Sequence, residues 1–259
     1  MRSHIDFGYL AIYNYFHLIP AAIAALLLLV SWKRKWPGVV RGLSAVALAW
    51  SLISFGIVQF AFDMNGRIPM PTAAFLRSGK GRVLDMGAGT GRSTLMVLEN
   101  RPETTIVALD SFADSFQEHF SAAGEGGEVL DRGQAKLKAN LVAAGVDSRA
   151  TIKAGDMREL PFEPNSFDAV VSTYAIDHLG RTGSGKALKE VFRVLKPGGE
   201  FLMMVISKDA YLKFAVGPFM MHGGTPSAAA WTKAMETIGF RMVEQGTKPA
   251  TLYFVAQKP

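Results

Sequence analysis

The chain has 259 residues, enough for one well-buried domain with an appendage, and its positive mean hydropathy is concentrated in the first quarter. Residues 1–63 hold five Lys or Arg against Asp6 and Asp63. The remainder holds 23 basic against 20 acidic groups, so the net charge of +6 does not form the basic stripe of a nucleic-acid binder. Cysteine is absent, which excludes disulfides, thiolate metal sites and cysteine nucleophiles.

Two apolar runs open the chain. Residues 10–32 end in "LIPAAIAALLLLVSW", and residues 42–62 carry no charge. Each approaches the ~20 residues that cross a ~30 Å hydrocarbon core. Between them "KRKWPGVVR" supplies basic residues and a Pro-Gly turn, with Trp32 and Trp36 as interfacial aromatics. Residues 1–63 therefore read as a membrane-embedded helical hairpin with spans at 10–32 and 42–62. Asn14, His17 and Pro20 interrupt the first run and leave open an interfacial helix. A cleaved leader fits poorly, because Lys33, Arg34 and Lys35 occupy the place of a small-residue cleavage site. Small residues Ala45 and Ala49, four apart, permit a homo-oligomer through the hairpin.

A connector with Pro69 and Pro71 spans residues 64–78, and a domain of residues 79–259 follows. Strands are predicted at 82–86, 105–110, 149–154, 167–173, 200–206, 241–246 and 251–257. Helices are predicted at 91–100, 132–144, 184–195 and 226–238. The alternation gives an α/β fold with a mostly parallel sheet. The last two strands are too close for a parallel crossover and must form an antiparallel hairpin.

The stretch "VLDMGAGTGRST" places glycines at 87, 89 and 91, a G-x-G-x-G spacing. Arg92 stands where a dinucleotide fingerprint has its third glycine, and no Lys-Ser/Thr follows as in a phosphate-binding P-loop. Asp85 ahead of the turn would repel a pyrophosphate and suit a cationic ligand. Asp110, 19 residues past Gly91, falls where an acid reaches a ribose, and Asp156 follows the third strand. Ribose, adenine and a positive centre in place of phosphates describe S-adenosylmethionine.

"VLDMGAGTG", "VALDS", "AGDMRELPFEPNSFDAVVS" and "EVFRVLKPGGEFLMMV" together resemble, in order and spacing, the motifs of the class I S-adenosylmethionine-dependent methyltransferases, over roughly residues 79–258. The resemblance implies a Rossmann-like seven-stranded sheet with helices on both faces and one antiparallel strand near its edge. It implies that Asp85, Gly87, Ala88, Gly89 and Gly91 line the methionine part of the cofactor. Asp110 would hold the ribose beside Ser111, Asp156 would face the adenine amine, and Met157 would pack on the ring. "LKPGG" (195–199) would be the turn into the fifth strand. Residues 112–131 depart from the family pattern. With Phe112, Phe116 and Phe120 four apart, they predict a short amphipathic helix, or else a surface excursion.

Ligands of open α/β sheets bind at the carboxyl ends of strands. After the fourth strand this makes Tyr174, Asp177 and His178 candidates for a catalytic role. After the fifth, Tyr211, Phe214, Met221 and His222 belong to a methionine-rich segment fit for an acceptor wall or lid. No metal site is indicated. The apolar runs predict an integral membrane protein, and a cytosolic cofactor requires that its catalytic domain face the cytosol. The expected acceptor is a small molecule or lipid in or near the bilayer: a headgroup amine, a quinone-type ring, or a thiol or phenol. A soluble acceptor and a silent membrane-tethered scaffold are the alternatives.

Overall fold

The computed structural model describes residues 5–63, 65–112, 129–207, 209–216 and 226–259. The chain forms two compact units, one of Met1–Gly8, Gly66–Ser207 and Gly223–Pro259, the other of Tyr9–Asn65 and Lys208–His222.

The first unit is built on seven strands, β1 (Lys80–Met86), β2 (Glu103–Asp110), β3 (Ala150–Ala154), β4 (Phe167–Thr173), β5 (Leu195–Ile206), β6 (Arg241–Lys248) and β7 (Thr251–Gln257). Their order is β3-β2-β1-β4-β5-β7-β6, and β7 runs antiparallel to both β5 and β6. The central strands are covered on both faces, which is why they read as unbroken apolar runs: Val83, Leu84 and Met86 in β1 and Ala169 to Val171 in β4 are fully buried. Helices α4 (Arg92–Asn100), α5 (Val129–Ala144), α6 (Gly180–Val194) and α8 (Ala228–Ile238) belong to this unit. Leu188, Val191 and Val194 of α6 and Trp231 and Met235 of α8 join Phe201, Met203 and Phe254 in one core. The chain leaves β1 toward β2 and β3 on one side and reaches β4 and β5 on the other. The carboxyl end of β1 is thus the topological switch point, where open α/β sheets open a crevice.

One sequence expectation is corrected here. The "LKPGG" segment is not a turn before β5 but its first residues, pairing Leu195 with Phe167 before a register shift to Glu200 and Ala169. Gly198, with φ of +77°, donates its N–H to Lys258 O, and Gly199 O accepts from Lys258 N. Proline and glycine here mark a bulge inside a strand.

The second unit contains α1 (Ala11–Tyr15), α2 (Leu18–Lys33), α3 (Gly38–Ile57) continued by a π-helical turn at Val58–Phe62, and α7 (Ala210–Val216). The expected first span is not one helix. It breaks at Phe16–His17, and α2 alone, with 16 residues, is about 24 Å long. The break follows from polar groups that turn inward: Asn14 and His17 are buried, and the Asn14 carbonyl accepts from Gln59 Nε2. Pro20 is harmless in the first turn of α2, where its missing N–H is not needed. The second run, expected at 42–62, lies in a longer helical stretch, Gly38–Phe62, 25 residues or about 37 Å.

Candidate functional site at the carboxyl end of the sheet

The turn after β1 has the geometry its glycines suggest. Gly87, Gly89 and Gly91 take φ of +83°, +53° and +100°. The N–H groups of Gly87 and Ala88 both donate to Leu109 O, at 2.8 and 3.0 Å, which ties the turn to the end of β2. A Cβ on Gly87 would lie 2.3 Å from Ala175 Cβ, beyond β4, and 3.0 Å from Met157 Cε. The turn, the β4 exit and Met157 thus converge at the switch point. Gly91 caps α4, and a Cβ there would meet Leu137 Cδ1 at 2.6 Å.

Asp110 closes β2 beside this turn. Gly89 N–H donates to Oδ2 at 2.8 Å and Phe112 N–H to Oδ1 at 3.0 Å. Burial pushes its pKa up, against the Phe112, Gly89 and Ser111 N–H groups that favour the carboxylate. Ser111 is exposed, and Phe112 is buried in a left-handed conformation. Asp156 and Met157 follow β3. Asp156 is half-buried and bound by Arg158, whose guanidinium approaches Oδ2 to 2.6 Å and holds the carboxyl below its usual range. Its carboxylate therefore faces its own loop.

Asp85 departs from the expectation that it lines the methionine part. It is completely buried, accepting from Ser93 Oγ at 2.7 Å and from Thr94 Oγ1 at 2.5 Å. Burial, the dominant influence, raises its pKa to about 7. The two hydroxyls, which are opposed in turn by the Asp110 charge, restrain the rise. Its observed role is to fasten the first turn of α4 beneath the glycines.

The three candidates after β4 share one segment but not one direction. Tyr174 has φ of +52°, uncommon for a non-glycine residue and a form of strain that gathers at functional sites. Its Oη lies 2.6 Å from Thr251 Oγ1 on β7. Asp177 Oδ2 accepts from Ile206 N at 3.1 Å and so closes the end of β5. His178 is exposed. In the second unit, Tyr211 and Phe214 lie on α7 and are about half exposed, whereas Met221 and His222 lie outside the described residues, as do residues 113–128 of the expected insertion.

Sequence reasoning missed Ala175, whose methyl closes on Gly87, and Trp50 and His17. Trp50 Nε1 donates to Phe214 O at 2.9 Å, and His17 Nε2 lies 2.6 Å from Ala215 O. Both contacts end on backbone carbonyls of α7, so residue type alone could not reveal them.

Residues 84–203 match the model of a family described as a methyltransferase domain. Over this stretch, just under half of the chain, the protein is similar to methyltransferase domains. Over 164 residues the chain is 32% identical to the ubiquinone/menaquinone biosynthesis C-methyltransferase of Haemophilus ducreyi, covering 62% of this chain and 52% of that protein. The same-named protein of Geotalea daltonii is 27% identical over 134 residues, covering 52% and 49%. The chain spans about half the length of the curated relatives it matches. Among solved structures, an O-methyltransferase family 2 protein from Planctomyces limnophilus, in complex with apigenin, superposes with a TM-score of 0.55. That match is at 16% identity and covers 92% of this chain and 62% of that one. A methyltransferase from Aquifex aeolicus gives 0.51 at 17% identity, covering 71% and 87%. At these identities both likenesses are likenesses of fold.

Proposed function

We propose that the protein is a membrane-anchored methyltransferase that moves the methyl group of S-adenosylmethionine to a lipophilic acceptor of the phenol or quinone type, its catalytic domain facing the cytosol. The residues at the switch point fit the cofactor: Gly87 lets the turn close on Ala175 and Met157 where any side chain would clash, and Asp110 offers a carboxylate at the end of the neighbouring strand. In this reading Gly87, Ala88, Gly89 and Gly91 cradle the methionine part, Asp110 and Ser111 take the ribose, and Met157 packs on the adenine. Asp156 reaches the adenine amine only after leaving Arg158. The cofactor supplies an electrophilic methyl carbon, so the protein's task is to hold the acceptor in line and keep water out.

The observation that carries the acceptor class is the packing of α7. The segment after β5, where open α/β sheets take their ligands, is built into the same unit as the apolar helices. Trp50 and His17 hold it by its carbonyls. That unit is inverted relative to a water-soluble bundle. Its interior residues are small or polar (Ala21, Ala24 and Ser31 on α2; Ser44, Ser51 and Ser54 on α3). Its outward residues include Leu26, Leu29, Leu43, Val46 and Phe60, the last 89% exposed. Small interior residues and large apolar exterior ones suit a lipid environment, where close backbone approach holds helices together. Ala45 and Ala49 also face outward and are open to a second copy. The names of the curated relatives support a quinone-type ring over a headgroup amine.

Incubating the full chain in membranes with methyl-labelled S-adenosylmethionine and a lipid extract is expected to label an organic-phase phenol or quinone. In the same assay Trp50→Phe should lower kcat/KM for that acceptor about tenfold and leave S-adenosylhomocysteine affinity unchanged. Label appearing only in water-soluble products, with membranes supplied, would refute the lipophilic acceptor.

A further inference from the structure

The half of the glycine turn nearest α4 is held by residues that the cofactor reading does not use. Thr90, Arg92 and Asn140 are polar and buried, and their groups point at backbone on either side of residues 9–65. Thr90 Oγ1 donates to Phe7 O at 2.8 Å. Asn140, on α5, accepts from Asp6 N at Oδ1, and its Nδ2 donates to Asp6 O and to Thr90 O, both at 2.9 Å. Arg92 Nε donates to Gly66 O at 2.9 Å, and its guanidinium lies 5.7 Å from the centre of the buried Phe7 ring. Lys136 pairs with the Asp6 carboxylate, which also accepts Gly8 N at 2.8 Å.

We propose that Thr90, Asn140 and Arg92 are positioning residues for the cofactor, forming a clasp that fixes the turn by gripping the chain at Phe7 and Gly66. The inference rests on the cofactor reading of Gly87–Gly91. Three glycines in five residues leave a turn with many accessible shapes, so its binding shape has to be imposed from outside. Leu109 O and Asp110 impose it on Gly87, Ala88 and Gly89. For Thr90 and Arg92 the hydrogen bonds of the clasp do so. Opening it spreads the turn over shapes that do not bind, and apparent affinity falls in proportion to the fraction that remains competent. The arrangement gives Arg92 a purpose at the position where a dinucleotide site carries glycine. Its side chain reaches the segment that leaves the helical unit while Thr90 holds the one that enters.

The test is calorimetric titration of S-adenosylhomocysteine into the full chain in detergent, for the wild type, Thr90→Val, Thr90→Ser and a deletion of residues 2–7. Val keeps the shape of Thr and removes one hydroxyl, while Ser keeps the hydroxyl. The clasp predicts a roughly tenfold higher Kd for Thr90→Val and for the deletion, near-wild-type affinity for Thr90→Ser, and unchanged stoichiometry throughout. A role in folding alone would lower the stoichiometry and leave Kd in place, which overturns the proposal. So does binding within about twofold of wild type by both Thr90→Val and the deletion. Wild-type protein that fails to bind would sink the cofactor reading itself, together with the clasp.

Discussion

Replacing Gly87 by alanine is expected to weaken S-adenosylhomocysteine binding about a hundredfold or more while leaving the sheet folded. Two separate costs meet at this residue. With φ of +83° the backbone lies where an L side chain is disfavoured by roughly 1–2 kcal/mol. The added methyl would also stand 2.3 Å from Ala175 Cβ, an atom carried directly on backbone and unable to swing aside. Relief of such overpacking typically costs about 1–3 kcal/mol. The strain has two outlets, the β4 exit at Ala175 and the turn itself. At its Gly87 end the turn is tied by the Gly87 and Ala88 N–H groups to a single carbonyl, Leu109 O, so this end yields first. Each 1.4 kcal/mol of distortion expressed at the site is about tenfold in affinity. Calorimetry on the purified variant, with circular dichroism to confirm the fold, reads the effect. Wild-type affinity in a folded Gly87→Ala protein would remove Gly87 from the cofactor site.

The sheet was legible in the sequence because its middle strands are covered on both sides, so β1, β2 and β4 read as continuous apolar runs between glycine or proline punctuation. The reversed β7 was legible from arithmetic alone, since Lys248 and Pro249 leave no room for a crossover. The shape of the glycine turn was legible because it is local, set by glycines spaced along the chain at Gly87, Gly89 and Gly91. What escaped depended on contacts between distant residues. "KPGG" reads as punctuation, yet a register shift opposite β4 absorbs it into β5. Asp85 looked like a ligand-facing acid, and only the packing of α4 revealed that Ser93 and Thr94 enclose it. Phe7 lies in a short segment without periodicity, and nothing in its neighbours announces that Thr90, 83 residues later, donates to its carbonyl. The hold of Trp50 on α7 spans 164 residues and ends on a backbone atom, which carries no signature of residue type.

The enclosed Asp85 has a consequence for stability. Its pKa in the folded chain is about 7, against a reference of 3.8, so between these values the folded state holds a proton that the unfolded state has released. A carboxyl raised on folding contributes stability that is fully present below the unfolded value and is lost as pH rises through the folded one. Wild-type protein is therefore expected to lose stability between about pH 4 and pH 7. The loss attached to this one group is on the order of 4 kcal/mol, an upper figure because Asp110 titrates beside it. Asp85→Asn should flatten that part of the profile. The amide oxygen can still accept from Ser93 and Thr94, and the amide never ionises. The variant should gain on wild type from about pH 4 to pH 7 in thermal unfolding of the full chain in detergent. Parallel profiles would show that Asp85 is ionised throughout and that its two hydroxyl donors outweigh its burial. The choice of asparagine matters to the inference. Alanine would also remove the titration, but it would leave the Ser93 and Thr94 hydroxyls buried without their acceptor. That loss would lower stability at every pH and mask the change in slope.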